Sequence, residues 1–163
     1  MASILNVDKI RATGSTTDGV LIDSSGRVTT PAHPHFVGID TSGLTDTDSE
    51  STFTTIVHYT VKINTGSCYN TSTGEFTCPI AGRYFFETHL LSRGAVAHNV
   101  ELQKNGSIWT RTRDILTSGN EASIGCSTVV DCAASDVLRV RVSNGSGGDF
   151  YNQWNGTTIY LLG

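Results

Sequence analysis

The sequence predicts an all-β protein, built as a sandwich of antiparallel strands, and three observations lead to this prediction. Apolar side chains alternate with arginines in residues 137–142, and residues 84–90 place aromatic and aliphatic side chains on one face, with the period of two that is typical of half-buried strands. Asn-Gly dipeptides begin at positions 105, 144 and 155, and these are typical hairpin turns because both residues tolerate positive φ. No segment has a convincing helical period.

The first 35 residues have a different pattern, and we predict that they form a docking arm. Short apolar clusters are separated by the polar residues 13–18, so this segment cannot make a core alone. Residues 20–22, the turn-like 23–26 and Val28 predict a small hairpin, and Pro31 and Pro34 stiffen the exit from the arm. The predicted docking residues are the apolar ones: Ile4, Leu5, Val7, Ile10, Val20, Leu21 and Ile22. Residues 36–163 are predicted to form one sandwich domain.

Charge and hydropathy argue against several classes of partner. The formal net charge is −4 and no run of Lys or Arg is present, so neither nucleic acid nor an anionic membrane is an expected partner. No segment approaches the roughly 20 apolar residues that a membrane span needs, and the first residues contain no apolar stretch of signal-peptide length. We therefore expect a soluble chain that is made inside a cell.

The four cysteines do not have the spacing of a zinc site or of a disulfide framework. Buried, reduced thiols are the main expectation. Cys126 and Cys132 would lie roughly 20 Å apart on one extended strand, which excludes a bond between them unless the chain turns there. Cys68 and Cys78 flank a turn, so a disulfide between these two remains an open alternative.

The stretch from residue 64 to residue 86 carries a specific motif. Its turn is supplied by Thr73-Gly74, and its aromatic residues are predicted to point into the core. The motif residues are Asn64, Tyr69, Phe76, Gly82, Tyr84 and Phe86. In the spacing and identity of its residues, this stretch resembles the signature of the C1q-like globular domain of the C1q and tumour-necrosis-factor superfamily. Residues 100–106, 136–140 and 154–163 resemble later strands of that family, so the resemblance covers residues 36–163.

The resemblance implies a ten-stranded jelly roll that assembles as a homotrimer and binds partners rather than catalysing a reaction. Two positions depart from the family pattern. His58 stands where the family usually has a Phe, and Thr88 stands where it prefers an aromatic residue. We expect the fold to tolerate both.

A search for catalytic and metal-binding patterns gives no enzyme signature, and we predict no catalytic residue, no cofactor and no dedicated metal site. Asp46, Asp48 and Glu50 alternate as at the start of a calcium loop, but the required glycine and final glutamate are missing, so a solvated loop is expected. His33 and His35 would point to one side of an extended strand. An alternative hypothesis places them in a transition-metal site on the axis of a trimer, whereas the main expectation is an exposed linker.

The N-terminal arm indicates the biological role that we expect for the protein. Residues 7–31 resemble N-terminal segments of bacteriophage tail-fibre and head-decoration proteins. This resemblance implies a non-enzymatic, trimeric structural protein on the virion surface, with the arm docked on capsid or tail proteins and the jelly roll displayed outward, and capsid decoration is favoured. One alternative is a tail-fibre tip that binds a host glycan or receptor through loops such as residues 144–149. The other is a secreted C1q-like or lectin-like binding module.

Overall fold

The computed structural model describes residues 7–11, 13–16, 19–30, 32–41, 51–117 and 121–162. The chain divides into two compact units, Met1–His33 and Pro34–Gly163, whereas the sequence placed the boundary after residue 35. None of the described residues is helical, and no helix among them could cross a membrane. The acidic residues 46–50 of the predicted solvated loop lie outside the described residues.

The N-terminal unit contains a small antiparallel sheet. Its three strands, in spatial order, are β1 (Lys9–Ile10), β2 (Val20–Ile22) and β3 (Val28–Thr29). The predicted hairpin of β2 and β3 is confirmed. Its turn is held by Asp23, whose Oδ1 accepts hydrogen bonds from the backbone N–H groups of Ser25 and Arg27, each at 2.9 Å. Strand β1 was not predicted, because a two-residue strand shows no readable alternation.

The second unit is a sandwich of two antiparallel sheets. Its strands, in chain order, are β4 (His35–Thr41), β5 (Thr54–Thr55), β6 (His58–Thr65), β7 (Tyr69–Asn70), β8 (Glu75–Thr77), β9 (Gly82–Arg93), β10 (Ala97–Lys104), β11 (Ser107–Ile115), β12 (Glu121–Cys132), β13 (Val137–Asn144), β14 (Asp149–Phe150) and β15 (Gly156–Leu161). Sheet I has the order β12-β9-β15-β4-β6, with β14 also paired to β9. Sheet II has the order β11-β10-β13-β8-β7, with β5 also paired to β13. The described residues of this second unit thus form twelve strands where ten were predicted, and three of the twelve have only two residues.

The core lies between the sheets and is rich in aromatic side chains. Phe36, Phe76 and Tyr84 are completely buried, and Phe86 is 1% exposed. Each contributes roughly 1.5–3 kcal/mol through burial of apolar surface. The outward positions of the same strands are polar or partly exposed, so the predicted alternation along β9 and β13 is confirmed.

Each of the three Asn-Gly dipeptides was predicted to form a two-residue turn, but only one of them does. Asn105 and Gly106 both have positive φ, at 50° and 79°, and they join β10 to β11. Asn144 instead ends β13 and turns its amide toward the Gly148 carbonyl. At the third dipeptide the positive φ falls on the preceding residue, Trp154, because the Asn155 side chain is buried and bonded within the turn.

Candidate binding and assembly surfaces

The predicted family motif is a structural unit at the junction of β6, β7 and β9. Asn64 Oδ1 accepts a hydrogen bond from the Tyr69 N–H, and Asn64 Nδ2 donates one to the Tyr69 carbonyl, both at 3.0 Å. The Tyr69 ring stacks on Phe36 with the ring centroids 3.8 Å apart, and its hydroxyl accepts the His58 N–H at 3.0 Å. Asn64 therefore fixes the point at which Tyr69 enters the core.

The rest of the motif fills the centre of the sandwich. Phe76 and Tyr84 meet edge to face at 5.9 Å, and the Tyr84 hydroxyl donates to the Ile80 carbonyl at 2.8 Å. Burial raises the pKa of Tyr84 to about 12, so this hydroxyl stays protonated. Gly82 was predicted at a tight bend, but it is the first paired residue of β9, opposite Cys132. These side chains hold the fold together and are not available to a ligand.

The two departures from the family pattern belong to one buried hydrogen-bond chain. Thr88 Oγ1 donates to the Gly156 carbonyl at 3.0 Å and lies 3.0 Å from Thr157 Oγ1, which is 2.7 Å from His58 Nε2. A hydroxyl has one proton to donate, so Thr157 must donate to Thr88 and His58 Nε2 must donate to Thr157. All the hydrogen bonds of this series thus point in one direction, from the Nε2–H group of the imidazole to a backbone carbonyl.

Burial keeps His58 neutral. The ring is 1% exposed, and its Nδ1 makes no hydrogen bond with the described residues. Burial lowers the pKa of His58 to about 4, and this effect outweighs the attraction of the nearby Asp40 and Ile39 backbone groups and of the Asp40 carboxylate. His58 is therefore a neutral core residue at pH 7.

The outward face of sheet I carries an apolar row along one register line. The row consists of His35, Tyr160, Phe85 and Val129, which pair in sequence across β4, β15, β9 and β12. The His35 and Tyr160 rings lie 5.7 Å apart, and the Tyr160 and Phe85 rings lie 5.3 Å apart. Val129 is 48% exposed. A continuous aromatic and aliphatic row on an outward sheet face is typical of a surface that contacts another chain.

A second feature lies four residues further along β9, around the turn of residues 151–155. Trp154 is 69% exposed and has φ of 56°. It borders an open cavity of about 530 Å³ that is also lined by Ile39, Asp40, His89, Gln153 and Asn155. No sequence pattern predicts this cavity, because its walls come from three segments that are distant along the chain. The sequence feature that could have indicated the cavity is Trp154, which directly precedes an Asn-Gly dipeptide.

A side chain on either strand next to β9 would crowd His89. A Cβ at Gly156 would lie 2.8 Å from His89 Cε1, and a Cβ at Gly125, on the other neighbour of β9, would lie 3.1 Å from the Thr88 carbonyl oxygen. The imidazole therefore lies between two strands that have no side chain beside it. His89 is exposed as a result and lines the cavity.

Comparisons with known proteins agree with this architecture. A family model described as the C1q domain matches residues 41–160. The chain belongs to the C1q domain family. The predicted all-β jelly roll of the C1q and tumour-necrosis-factor type is confirmed, and C1q-type domains are generally non-enzymatic binding modules.

Individual relatives of this C1q domain are distant in sequence. Human complement C1q and tumor necrosis factor-related protein 9B is 37% identical over 79 residues, which are 47% of this chain and 22% of that protein. The chain thus spans about a fifth of the length of this curated relative. The globular domain of zebrafish complement 1qA protein superimposes with a TM-score of 0.64 at 14% identity, over 80% of this chain and 98% of that chain. Murine APRIL at pH 8.0 gives 0.57 at 12% identity, over 80% and 99%.

The predicted docking residues lie outside the matched C1q domain. Ile4 and Leu5 are outside the described residues, Val7 is half-buried, and Ile10 is 56% exposed. Val20, Leu21 and Ile22 form β2 and are half-buried. The docking role of these residues stays a prediction, as does the resemblance of the arm to bacteriophage segments.

The histidines of the metal hypothesis fall in different compact units. His33 Nδ1 lies 3.0 Å from Thr30 Oγ1, whereas His35 opens β4 and contacts Tyr160. Among the described residues, no group of three or more His, Cys, Asp or Glu side chains is arranged to hold a metal ion. A site shared by three chains stays a hypothesis.

The four cysteines are free thiols. Cys126 and Cys132 lie on the single strand β12, as predicted. Cys68, Cys78 and Cys132 are buried. Burial, with a smaller contribution from Cys132, raises the pKa of Cys78 far above its usual range. The pair left open by the sequence, Cys68 and Cys78, is therefore not bonded in this structure.

A buried charge lies on the outward face of sheet II. Glu101 is 2% exposed and forms an ion pair with Arg111, and its second oxygen accepts a hydrogen bond from Gln103 at 2.9 Å. Phe53 lies between two guanidinium groups, 5.4 Å from that of Arg111 and 5.6 Å from that of Arg141. These contacts fasten the segment around Phe53 across the sheet.

Proposed function

We propose that this C1q domain is a non-enzymatic binding module that works as a homotrimer. The observation that carries the proposal is the apolar row on the outward face of sheet I. Three contiguous ring side chains and a half-exposed valine are placed where only another surface can bury them. Rings on adjacent strands supply large, rigid contact area at low conformational-entropy cost.

The alternative partner for this face, a single unrelated protein, is less well supported. Homotrimers are typical of C1q and tumour-necrosis-factor domains. In a closed ring of three, a surface of each copy meets a different surface of the next copy, so one kind of contact that includes the row is repeated three times. Two further copies of this chain can therefore cover the face without any second kind of protein.

Light scattering after size exclusion tests the assembly. The wild-type protein is expected to have about three times the 17.4 kDa mass of one chain. Phe85→Lys places a charge in the middle of the row and is expected to give monomers with an unchanged far-UV spectrum. Ile108→Lys is the matched control, because Ile108 is 50% exposed on β11 of the other sheet. A Phe85→Lys protein that keeps the threefold mass contradicts the proposed interface.

The comparisons favour a secreted, C1q-like ligand or lectin-like module as the setting of this trimer. The support is the match to the C1q domain and to a human protein named as related to complement C1q and tumor necrosis factor. In that setting the head recognises its ligand without the N-terminal unit.

A virion structural protein is the second candidate, and the N-terminal unit favours it. This unit is compact by itself and presents Ile10 and Val28 to solvent at 56% and 66% exposure. Those side chains would dock on capsid proteins, or on tail proteins if the head is a receptor-binding tip, and the chain would then reside on the virion surface.

Deletion of residues 1–33 distinguishes the two settings. If the arm docks on particles, the shortened chain stays trimeric but no longer co-sediments with them. If the chain is a secreted ligand, the shortened trimer binds its ligand as the full chain does. A shortened chain that decorates particles at full occupancy contradicts the docking role of the arm.

A further inference from the structure

Trp154 is displayed to solvent by a strained turn. Positive φ is unfavourable by roughly 1–2 kcal/mol for a residue with a Cβ, and it is uncommon for a bulky side chain. Trp154 nonetheless has φ of 56°, and Asp40 at the same cavity has φ of 53°. Backbone strain of this kind persists where the surroundings enforce it and is concentrated at ligand sites.

The surroundings that enforce the turn are visible. Asn155 is 3% exposed, and its Nδ2 donates to the Tyr151 carbonyl at 2.8 Å and to Thr41 Oγ1 at 3.1 Å. Its Oδ1 is buried and accepts no hydrogen bond from the described residues. Such an atom is uncommon in a folded protein and calls for a specific explanation. The Tyr151 ring supports the indole edge to face at 5.9 Å.

Within the described part of the chain, the indole borders two open cavities. The larger, of about 530 Å³, contains His89, Asp40 and Gln153, and a smaller one, of about 340 Å³, is lined by Leu91, Glu121 and Ser123. His89 and Leu91, which line one cavity each, are consecutive outward positions of β9 and lie roughly 7 Å apart along this strand. Each cavity combines an apolar wall with carboxylate, amide, imidazole or hydroxyl groups.

We propose that Trp154 and its two cavities form a binding site for a neutral oligosaccharide. The indole would pack against the aliphatic face of a pyranose ring, and Asp40 and Glu121 would accept hydrogen bonds from its hydroxyl groups. His89 and Gln153 can each donate as well as accept, which suits hydroxyl groups in either role. This inference deepens the proposed function, since it names the ligand class of the binding module.

The charges of the site select against two other ligand classes. Asp40 and Glu121 would repel an anionic sugar. A quaternary ammonium ion needs open aromatic faces around it. Here the Arg93 guanidinium, which is paired with Asp149, covers the Tyr151 ring at 5.2 Å, so among the described residues at these cavities the Trp154 indole is the aromatic face that is open. A neutral, hydroxyl-rich ligand satisfies all of these groups.

Tryptophan fluorescence tests the site directly, because the chain has only two tryptophans. Trp109→Phe leaves Trp154 as the single reporter, and Trp154→Phe leaves Trp109, which lies on β11 of the other sheet. The full-length protein is titrated with maltotetraose, cellotetraose, mannotetraose and chitotetraose, with sialyllactose and tetramethylammonium as charged probes. We expect saturable quenching by at least one neutral tetrasaccharide in the Trp109→Phe protein and none in the Trp154→Phe protein.

Calorimetry with the same sugar measures affinity. Trp154→Ala is expected to weaken binding at least tenfold, while Trp109→Ala leaves it unchanged. Binding of only the charged probes, or of none, overturns the saccharide proposal, and so does a Trp154→Ala protein that changes its oligomeric state, because Trp154 would then be a subunit contact. Light scattering on the same samples separates the two proposals. A trimer that binds no sugar contradicts only the site, and a monomer that binds sugar contradicts only the assembly.

Discussion

Acidification should destabilise this protein through one buried imidazole. The ordinary pKa of His58 is 6.5 and burial lowers it to about 4 in the folded chain. The unfolded chain therefore takes up a proton at a higher pH than the folded chain does, so the contribution of His58 to stability is complete above pH 6.5 and is lost as the pH falls toward 4. A shift of this size corresponds to about 3 kcal/mol in total, and about 2 kcal/mol of it should be lost between pH 7 and pH 4.5.

The assay compares wild-type protein with His58→Phe, which restores the residue that the family prefers. Urea unfolding is measured at pH 7 and pH 4.5 at one protomer concentration, because assembly makes stability depend on concentration. The wild-type protein should lose about 2 kcal/mol more than the variant over this interval. His33→Phe, in the other compact unit, should behave as the wild type does. Parallel loss in the wild-type and His58→Phe proteins would refute the reasoning.

Three further predictions concern the sandwich itself. Glu101→Ala removes the buried partner of Arg111 and should lower the free energy of unfolding by about 2 kcal/mol in urea, with Glu101→Gln affected less. Gly74→Ala should lower it by at least about 2 kcal/mol, measured by thermal circular dichroism, because the residue has φ of 73° and a Cβ would lie 2.1 Å from the Ile56 carbonyl oxygen. Cys78 should resist iodoacetamide at pH 8 in the native protein and react once the protein is unfolded, as followed by mass spectrometry, because burial raises its pKa.

The fold was predictable because it depends on short-range pattern. Alternation along β9 and β13 assigns each side chain to one face, and the buried residues Tyr84 and Phe86 lie where that pattern places them. The turn at Gly74 was readable for a similar reason, since few residues other than glycine adopt its conformation. Strands of two residues contain no alternation, so β1 and β5 could not be found in this way.

The candidate site was less predictable because pairing between distant strands creates it. Asp40, His89 and Trp154 are brought together by the β4-β15-β9 register, which no local pattern specifies. The Asn-Gly rule also placed the turn one residue too late, because the Asn155 side chain finds buried partners and moves the positive φ to Trp154. Turn propensity describes an isolated dipeptide, and tertiary hydrogen bonds override it here.

The buried hydrogen-bond chain connects the core to this turn. Taken singly, His58 and Thr88 are two departures from the family pattern, but in the structure they are joined through Thr157. The series of hydrogen bonds ends on the carbonyl of Gly156, two residues after Trp154. It therefore holds the first residue of β15, while Asn155 holds the preceding turn through its own buried hydrogen bonds. An aromatic pair at the two positions could not bond that carbonyl. Replacement of these hydrogen-bonded side chains by apolar ones is therefore expected to loosen the Trp154 turn, even where the replacement stabilises the core.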